Sequence, residues 1–382
     1  MRVAPEFDAR VRAGAWRVLE QAWQPELGYC RPHRRTYPHL WLWDSCFHSI
    51  AWSAFGDERA LTELTALFEG QLPNGFLPHM RYGRRTYKRG LLPDVSSFTQ
   101  PPVYVRAILA ALSAGLPASE KLIDRATRAL DALWRLRLRD GLLVIVHPWE
   151  AGTDDSPRFD AWIGSTSWQR RRWTKADHRL LGSTVFSTDG VAIDNREFVV
   201  ASASFNAIAA DAAIGLAELT ADDTWRTRGV SLAETLDTRA WDDERGLWSD
   251  VVYTGPGSSS RTPTSDAVLP ALRASDHRHA ATALRKLTDP ACFGATFGPR
   301  FTSRAEPAYR ADAYWRGPAW PQLNYLTVLA ARQRGMTTLA DDLASSTKRS
   351  VLRSGFAEYW NPETGEGLGA TPQTWAAVAA AL

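Results

Sequence analysis

Apolar residues recur at three- and four-residue intervals along most of this chain, the spacing that lays a single stripe down an α-helix. The intervals predict helices over residues 9–23, 44–55, 58–69, 101–114, 119–138, 198–219 and 225–240. Further helices are expected over 265–274, 277–288, 318–334, 338–352 and 372–382. Brief turns such as Gly56-Asp57, Leu116-Pro117, Ala221-Asp222 and Gly335 join neighbours, the pattern of sequential antiparallel hairpins. A dozen helices paired in this way predict an all-α fold, an (α/α)6 barrel built as a six-hairpin toroid. Strand signals are short and few, the best being 142–146 and 247–252, which disfavours a doubly wound sheet. Three long irregular stretches, 70–99, 146–196 and 290–318, hold an outsized share of the Trp, Asp, Arg and His. On a helical toroid such loops gather over one mouth and carry function. No shift of composition divides the chain, so residues 1–382 are expected to form one catalytic domain.

Composition narrows the function classes. With 45% hydrophobic and 23% charged residues in 382, the chain has ample core and is not disordered. A net charge of +3 with mixed signs leaves only the short Arg170-Arg171-Arg172 run as a basic feature, which argues against nucleic-acid binding. Three cysteines without metal-type spacing indicate neither a disulfide framework nor a zinc site, and His277-Arg278-His279 reads as helix surface. No apolar stretch reaches membrane-spanning length and the N-terminus lacks a signal-peptide core, so a cytoplasmic protein is expected, with no cofactor and with homo-oligomerisation left open. The unusual count is Trp, at 17, many of them beside Asp, Glu, Gly or Pro, as in a lined pocket.

Candidate chemistry concentrates in Trp149-Glu150-Ala151-Gly152-Thr153-Asp154-Asp155-Ser156-Pro157-Arg158-Phe159-Asp160. Four carboxylates crowd a Gly- and Pro-punctuated loop, and like charges raise one another's proton affinity, which keeps an acid protonated near neutral pH. A solvated acidic turn would have the same small residues, but not Trp149, Phe159 and Trp162 around it; sugar rings stack on such faces. Five further clusters combine polar and aromatic groups: 41–48, 72–79, 99–102, 312–325 and 355–367. In the first, capping of the following helix would by itself account for Asp44. In the last, Glu358 between Phe356 and Trp360 is the better buried carboxylate, whereas Glu363 and Glu366 suit a turn. Two separated carboxyl groups, one proton-rich and one flanked by aromatics, are the minimal equipment for glycoside hydrolysis.

Taken in order, the motifs Trp-x-Trp-Asp-Ser-x-Phe-His, Asn-Gly-x-x-Pro-His, Gln-Pro-Pro, Glu-x-Gly-x-Asp-x-Ser-x-Arg, Tyr-Trp-Arg-Gly-x-x-Trp-x-x-x-Asn-Tyr and Glu-Tyr-x-x-Pro-x-Thr-Gly resemble glycoside hydrolase family 63. The resemblance is strongest to its short bacterial branch, which includes mannosylglycerate and glucosylglycerate hydrolases. It implies an (α/α)6 barrel and cofactor-free, inverting hydrolysis of an α-glucoside or α-mannoside. Asp154 would be the general acid and Glu358 the base that activates water. Trp43, Asp44, His79, Gln100, Trp315, Arg316 and Trp320 match positions around the bound sugar. Trp41, Trp149, Arg158, Tyr314 and Gly317 join them as candidate substrate contacts, with Gln373 and Trp375 toward the aglycone. Two departures stand beside the acid: Ala151 where the family has Ser, and Asp155 where it has Asn. Inversion requires the carboxyl groups to stand about 6.5–9.5 Å apart, with water between base and sugar. A sugar epimerase on the same barrel, working through paired His residues, and a noncatalytic sugar-binding protein are the alternatives; a terpene synthase would rest on Asp222-Asp223 or Asp242-Asp243, which sit in helix turns.

Overall fold

A computed structural model describes residues 5–82, 89–164, 169–258 and 260–382; the first four residues, parts of two long loops and residue 259 lie outside them. Six helices form a closed inner ring. Leu42–Ser53 packs on Tyr104–Ser113, that helix on Ala203–Thr220, and the circuit continues through the 3-10 helix Ser265–Leu272, Pro321–Gln333 and the 3-10 helix Thr374–Ala381, which returns to Leu42–Ser53. Each has an outer partner: Arg59–Phe68, Glu120–Arg137, Asp223–Arg239, His277–Arg285, Thr337–Ser354 and Pro5–Ala22 in the same order. The α/α toroid expected from the hydrophobic pattern is therefore the architecture adopted.

Sequence explains which helices go inside. All of Leu42–Ser53 is buried, including Asp44 and His48, and Ala203–Thr220 is alanine-rich, so that its neighbours approach closely. Outer helices are one-sided instead: Glu120–Arg137 buries Leu122, Ala126, Ala129, Leu130 and Leu133 along one stripe, and Ser119 caps it by accepting from the Leu122 amide. One hydrophobic cluster runs from Val11 to Ala379. Among the described residues no helix is long and apolar enough to cross a membrane.

Three expectations need correction. The helix expected over 198–219 begins only at Ala203, because β-branched Val199 and Val200 pair as a strand, Val199–Ala201, with Val251–Thr254. The segments 265–274 and 372–382 are helical but 3-10 in form, the first containing Pro270, which has no amide to donate. Finally, the stretch 146–196 is not wholly irregular: it contains the helices Asp160–Ile163 and Arg170–Gly182 and a hairpin of Thr184–Phe186 with Ala192–Asn195. Only Trp173, Ala176 and Leu180 are buried along Arg170–Gly182, too sparse a stripe for periodicity to detect.

Candidate active site

A cavity of about 760 Å³ is lined by loops from most of the hairpins. Glu358 enters it from the start of a tight hairpin, Tyr359–Trp360 with Gly367–Leu368. Its carboxylate is held by two donors, the Tyr37 hydroxyl on Oε1 at 2.7 Å and the Ala370 amide on Oε2 at 2.8 Å. Gly369 makes this possible: it has φ +70°, and a Cβ there would sit 2.6 Å from the Tyr359 ring and collide with the Glu358 carboxylate. Burial pushes Glu358 up to about 7, against the hydrogen bonds from Ala370 and Tyr37.

Asp154 comes from the acidic loop, whose entry is fixed by another of its carboxylates. Buried Glu150 forms a two-pronged pair with Arg137 at 2.6 and 2.8 Å and also accepts from the Val146 and Thr99 amides. Gly152, at φ +73°, lets the loop pass against Trp43, since a Cβ would lie 2.7–2.9 Å from that indole. Asp154 then faces the cavity, and burial pushes it up to about 7, opposed by Arg89 and reinforced by Asp155 and Asp44. The two carboxyl groups thus differ in company: Glu358 accepts from Tyr37 and Ala370, whereas Asp154 has Asp155 beside it with Arg89 opposing, and Asp44 acts on both. Asp44 receives Gln373 Nε2 at 3.1 Å, and burial raises it to about 6. Trp41, Trp43, Trp149, Tyr314, Tyr359 and Trp375 line the same cavity, with Trp43 and Trp375 perpendicular at 5.8 Å. Apolar ring faces and acid–base carboxyl groups in one concave site suit a sugar.

Residues 37–376 match the family model described as the mannosylglycerate hydrolase MGH1-like glycoside hydrolase domain. The chain belongs to this family. It is 30% identical to the mannosylglycerate hydrolase of Thermus thermophilus over 91% of this chain and 95% of that protein. It is 27% identical to the glucosylglycerate hydrolase of Mycolicibacterium hassiacum over 90% and 91% respectively. A crystal structure of a Thermus thermophilus family 63 mannosylglycerate hydrolase with glucose superposes with a TM-score of 0.81 at 26% identity, covering 97% of this chain and 99% of that one. The chain is therefore a glycoside hydrolase, which removes the epimerase, terpene-synthase and noncatalytic alternatives.

Of the residues nominated from the hydrolase motifs, Asp154, Glu358, Trp41, Trp43, Asp44, Gln100, Trp149, Tyr314 and Gln373 line the cavity together, as does Trp375. Asp44 is not the helix cap: Trp41 occupies that place, and Asp44 lies in the first turn. His79, Arg158, Trp315, Arg316, Gly317 and Trp320 stand behind the lining. His79 is bonded at Nδ1 to Ser96 and packs its ring on Trp41 at 5.5 Å. Arg158 is buried between Asp250 at 2.7 Å and Asp266 at 2.6 Å, and Arg316 is paired through both terminal nitrogens with Asp160 at 2.7 and 2.6 Å. A guanidinium without water needs such carboxylates, and both arginines are committed to them. Trp315, at φ +53°, and Trp320 stack at 3.5 Å into a plate behind Tyr314 and Tyr359. The Gly317 carbonyl is bonded to the Phe301 amide.

The motifs missed several lining residues of this hydrolase. Tyr37, Arg89 and Asp177 line the cavity, Arg89 lying 4.1 Å over the Trp149 ring. Burial pushes Asp177 up to about 8, with Asp155 and Asp154 adding to it and Arg89 opposing. Its only sequence signal is the spacing of 170, 173, 174, 177 and 178, one face of the undetected helix. Tyr37 had none. Among the described residues, the one group with metal-type donors is Cys30, His48 and Glu63, whose ligand atoms lie within 4.8 Å of one another. Protein hydrogen bonds occupy all three: Cys30 Sγ on the Leu19 carbonyl, and Glu63 accepting from the Cys30 amide and from His48.

Proposed function

We propose that this chain is an inverting α-glycosidase that hydrolyses a short α-glucoside or α-mannoside, with Asp154 as general acid and Glu358 as general base. The observation that carries the assignment is the contrast between two buried carboxyl groups in one cavity. Glu358 accepts from Tyr37 and Ala370, contacts that favour the carboxylate. Asp154 has Asp155 beside it, which favours the protonated acid against the opposing charge of Arg89, while Asp44 raises both groups. Asp154 gives its proton to the glycosidic oxygen as the bond to the anomeric carbon breaks. Glu358 takes a proton from the water that attacks the opposite face, so the configuration inverts and one water is consumed. Trp41, Trp43 and Trp149 supply stacking faces, and Asp44, held by Gln373, accepts sugar hydroxyls.

The relatives named for mannosylglycerate and glucosylglycerate direct the choice of substrate toward a hexose α-linked to a small hydroxy acid. No cofactor takes part in these steps. All three cysteines are free, in keeping with a reducing, cytoplasmic setting. The test is a panel of glucosylglycerate, mannosylglycerate, trehalose, sucrose, nigerose and kojibiose, scored for sugar release by the native protein and by E358Q. Hydrolysis of one or both glycerates that disappears in E358Q is expected. Equal turnover by E358Q would remove Glu358 from the role of base.

A further inference from the structure

His48 belongs to the first tryptophan-rich motif yet does not line the cavity. It lies one turn beyond Asp44 on the buried helix Leu42–Ser53, and both of its ring nitrogens are engaged. Nδ1 meets Glu63 Oε1 at 3.1 Å, and Nε2 meets the Thr374 hydroxyl. The second oxygen of Glu63 accepts the Cys30 amide at 2.8 Å. Thr374 donates its amide to the Pro32 carbonyl at 3.1 Å, and its hydroxyl lies 3.3 Å from the same oxygen. The imidazole therefore anchors the chain at Cys30 and at Pro32, just before the segment that brings Tyr37 onto Glu358. On the other side, Thr374 follows Gln373, whose side chain donates to Asp44 and caps its own 3-10 helix by accepting from the Trp375 amide at 2.7 Å. Trp375 in turn donates its indole N–H to the Glu358 carbonyl at 2.9 Å.

We propose that His48 is a positioning residue for hydrolysis: by bonding Glu63 with one ring nitrogen and Thr374 with the other, it holds the two segments that present Tyr37 to Glu358 and Gln373 to Asp44. The proposal rests on the reading of Glu358 as base and Asp44 as a sugar contact. Glu63 and Thr374 are both buried, as is His48, so water cannot substitute for a lost bond and the segments must shift instead. Among the titratable groups near this cluster, Asp44 feels the imidazole, Cys30, Cys46 and Tyr29 feel Glu63, and Arg59 acts on Cys30. Burial raises both thiols well above their ordinary range, so they carry no charge that would compete with Glu63.

The test uses two ring-mimicking variants and two mild ones. Asn places a donor near Nδ1 and Gln near Nε2, so H48N keeps the link to Glu63 and H48Q the link to Thr374. Each is expected to lose about tenfold to about a hundredfold in kcat/KM, the cost of misplacing a site by an ångström or less. Should either fail to fold, T374V removes one hydroxyl at nearly constant shape and T374S restores it. T374V is expected to raise KM and to move the acid limb of the pH profile upward as Tyr37 slips from Glu358, whereas T374S stays within about twofold of the native enzyme. Native KM and an unmoved acid limb in T374V would overturn the proposal. So would a loss in which T374S is as impaired as T374V, or one equivalent of zinc in the purified protein, which would make the cluster a metal site. The underlying assignment fails separately: if E358Q keeps its turnover, Glu358 is not the base whatever the His48 variants do.

Discussion

Tyr37→Phe removes one hydroxyl and keeps the ring that packs edge-on against Trp41 at 6.1 Å and 87°. The hydroxyl is one of two donors on Glu358, at 2.7 Å. A hydrogen bond to a carboxylate contributes about 1.5–3 kcal/mol, and each pKa unit is about 1.4 kcal/mol. Tyr37 is partly exposed, so water recovers some of the loss and a rise of about one unit is expected for Glu358, from about 7 to about 8. The base must be ionised, so activity is lost as pH falls through the Glu358 pKa; raising that pKa moves the acid limb upward. With Asp154 as the proposed acid, the alkaline limb is assigned to it, because it must be protonated and stays near 7. For independent groups at these values, the correctly protonated fraction is about one quarter at the native optimum. It falls to about one seventeenth in Y37F, with the optimum about half a unit higher. At pH 6 the loss is about ninefold, and above pH 9 it vanishes. The assay is kcat/KM from pH 5 to pH 9.5, with circular dichroism as a check on folding. An acid limb that stays in place, or moves to lower pH, refutes the role of Tyr37 and weakens that of Glu358 as base.

Asp154→Asn should abolish turnover while calorimetry still detects sugar binding, because in its proposed role the carboxyl acts on the leaving oxygen and not chiefly on affinity. Glu358→Gln should stabilise the protein above pH 7. A carboxyl raised from 4.5 to about 7 by burial makes the fold lose stability as pH rises between those values, up to about 3 kcal/mol, so the gain in Tm is expected at pH 8 and not at pH 4. Asp160→Asn leaves the Arg316 guanidinium buried without its partner, and chemical denaturation should show a loss of about 3–5 kcal/mol. Gly152→Ala, at a left-handed position against Trp43, should cost about 1–3 kcal/mol and raise KM by displacing the indole. Exhaustive chelation should leave the hydrolysis rate unchanged within error, since the proposed steps use no metal.

Apolar periodicity located the helices of the toroid because each has a buried stripe or is buried on all sides, as Leu42–Ser53 is. It failed where burial is slight: Arg170–Gly182 buries three residues, so its cavity face, with Asp177, went unread. It also failed where local chemistry overrode the pattern, as at Val199 and Val200, which find strand partners before the helix begins. Motif composition brought Asp154, Glu358, Asp44 and the cavity tryptophans together, because those residues cluster with aromatics. It could not separate lining from support, since Arg316 and Arg158 occur in the same motifs and their carboxylate partners are remote in sequence: Asp160 lies 156 residues from Arg316, and Asp266 lies 108 from Arg158. Tyr37 was unreadable for the same reason, its partner Glu358 being 321 residues away. The acidic loop divides accordingly. Glu150 and Asp160 build the wall through arginine pairs, while Asp154 and Asp155 face the cavity.

The assignment of acid and base stands or falls on stereochemistry. Proton NMR in the first minutes of hydrolysis, before the free sugar mutarotates, reports the anomer released from an α-glucosyl or α-mannosyl glycerate. Water activated by Glu358 on the face opposite the leaving group gives the β-anomer first. Initial release of the α-anomer would contradict the account, because retention requires a covalent intermediate and a carboxylate acting as nucleophile.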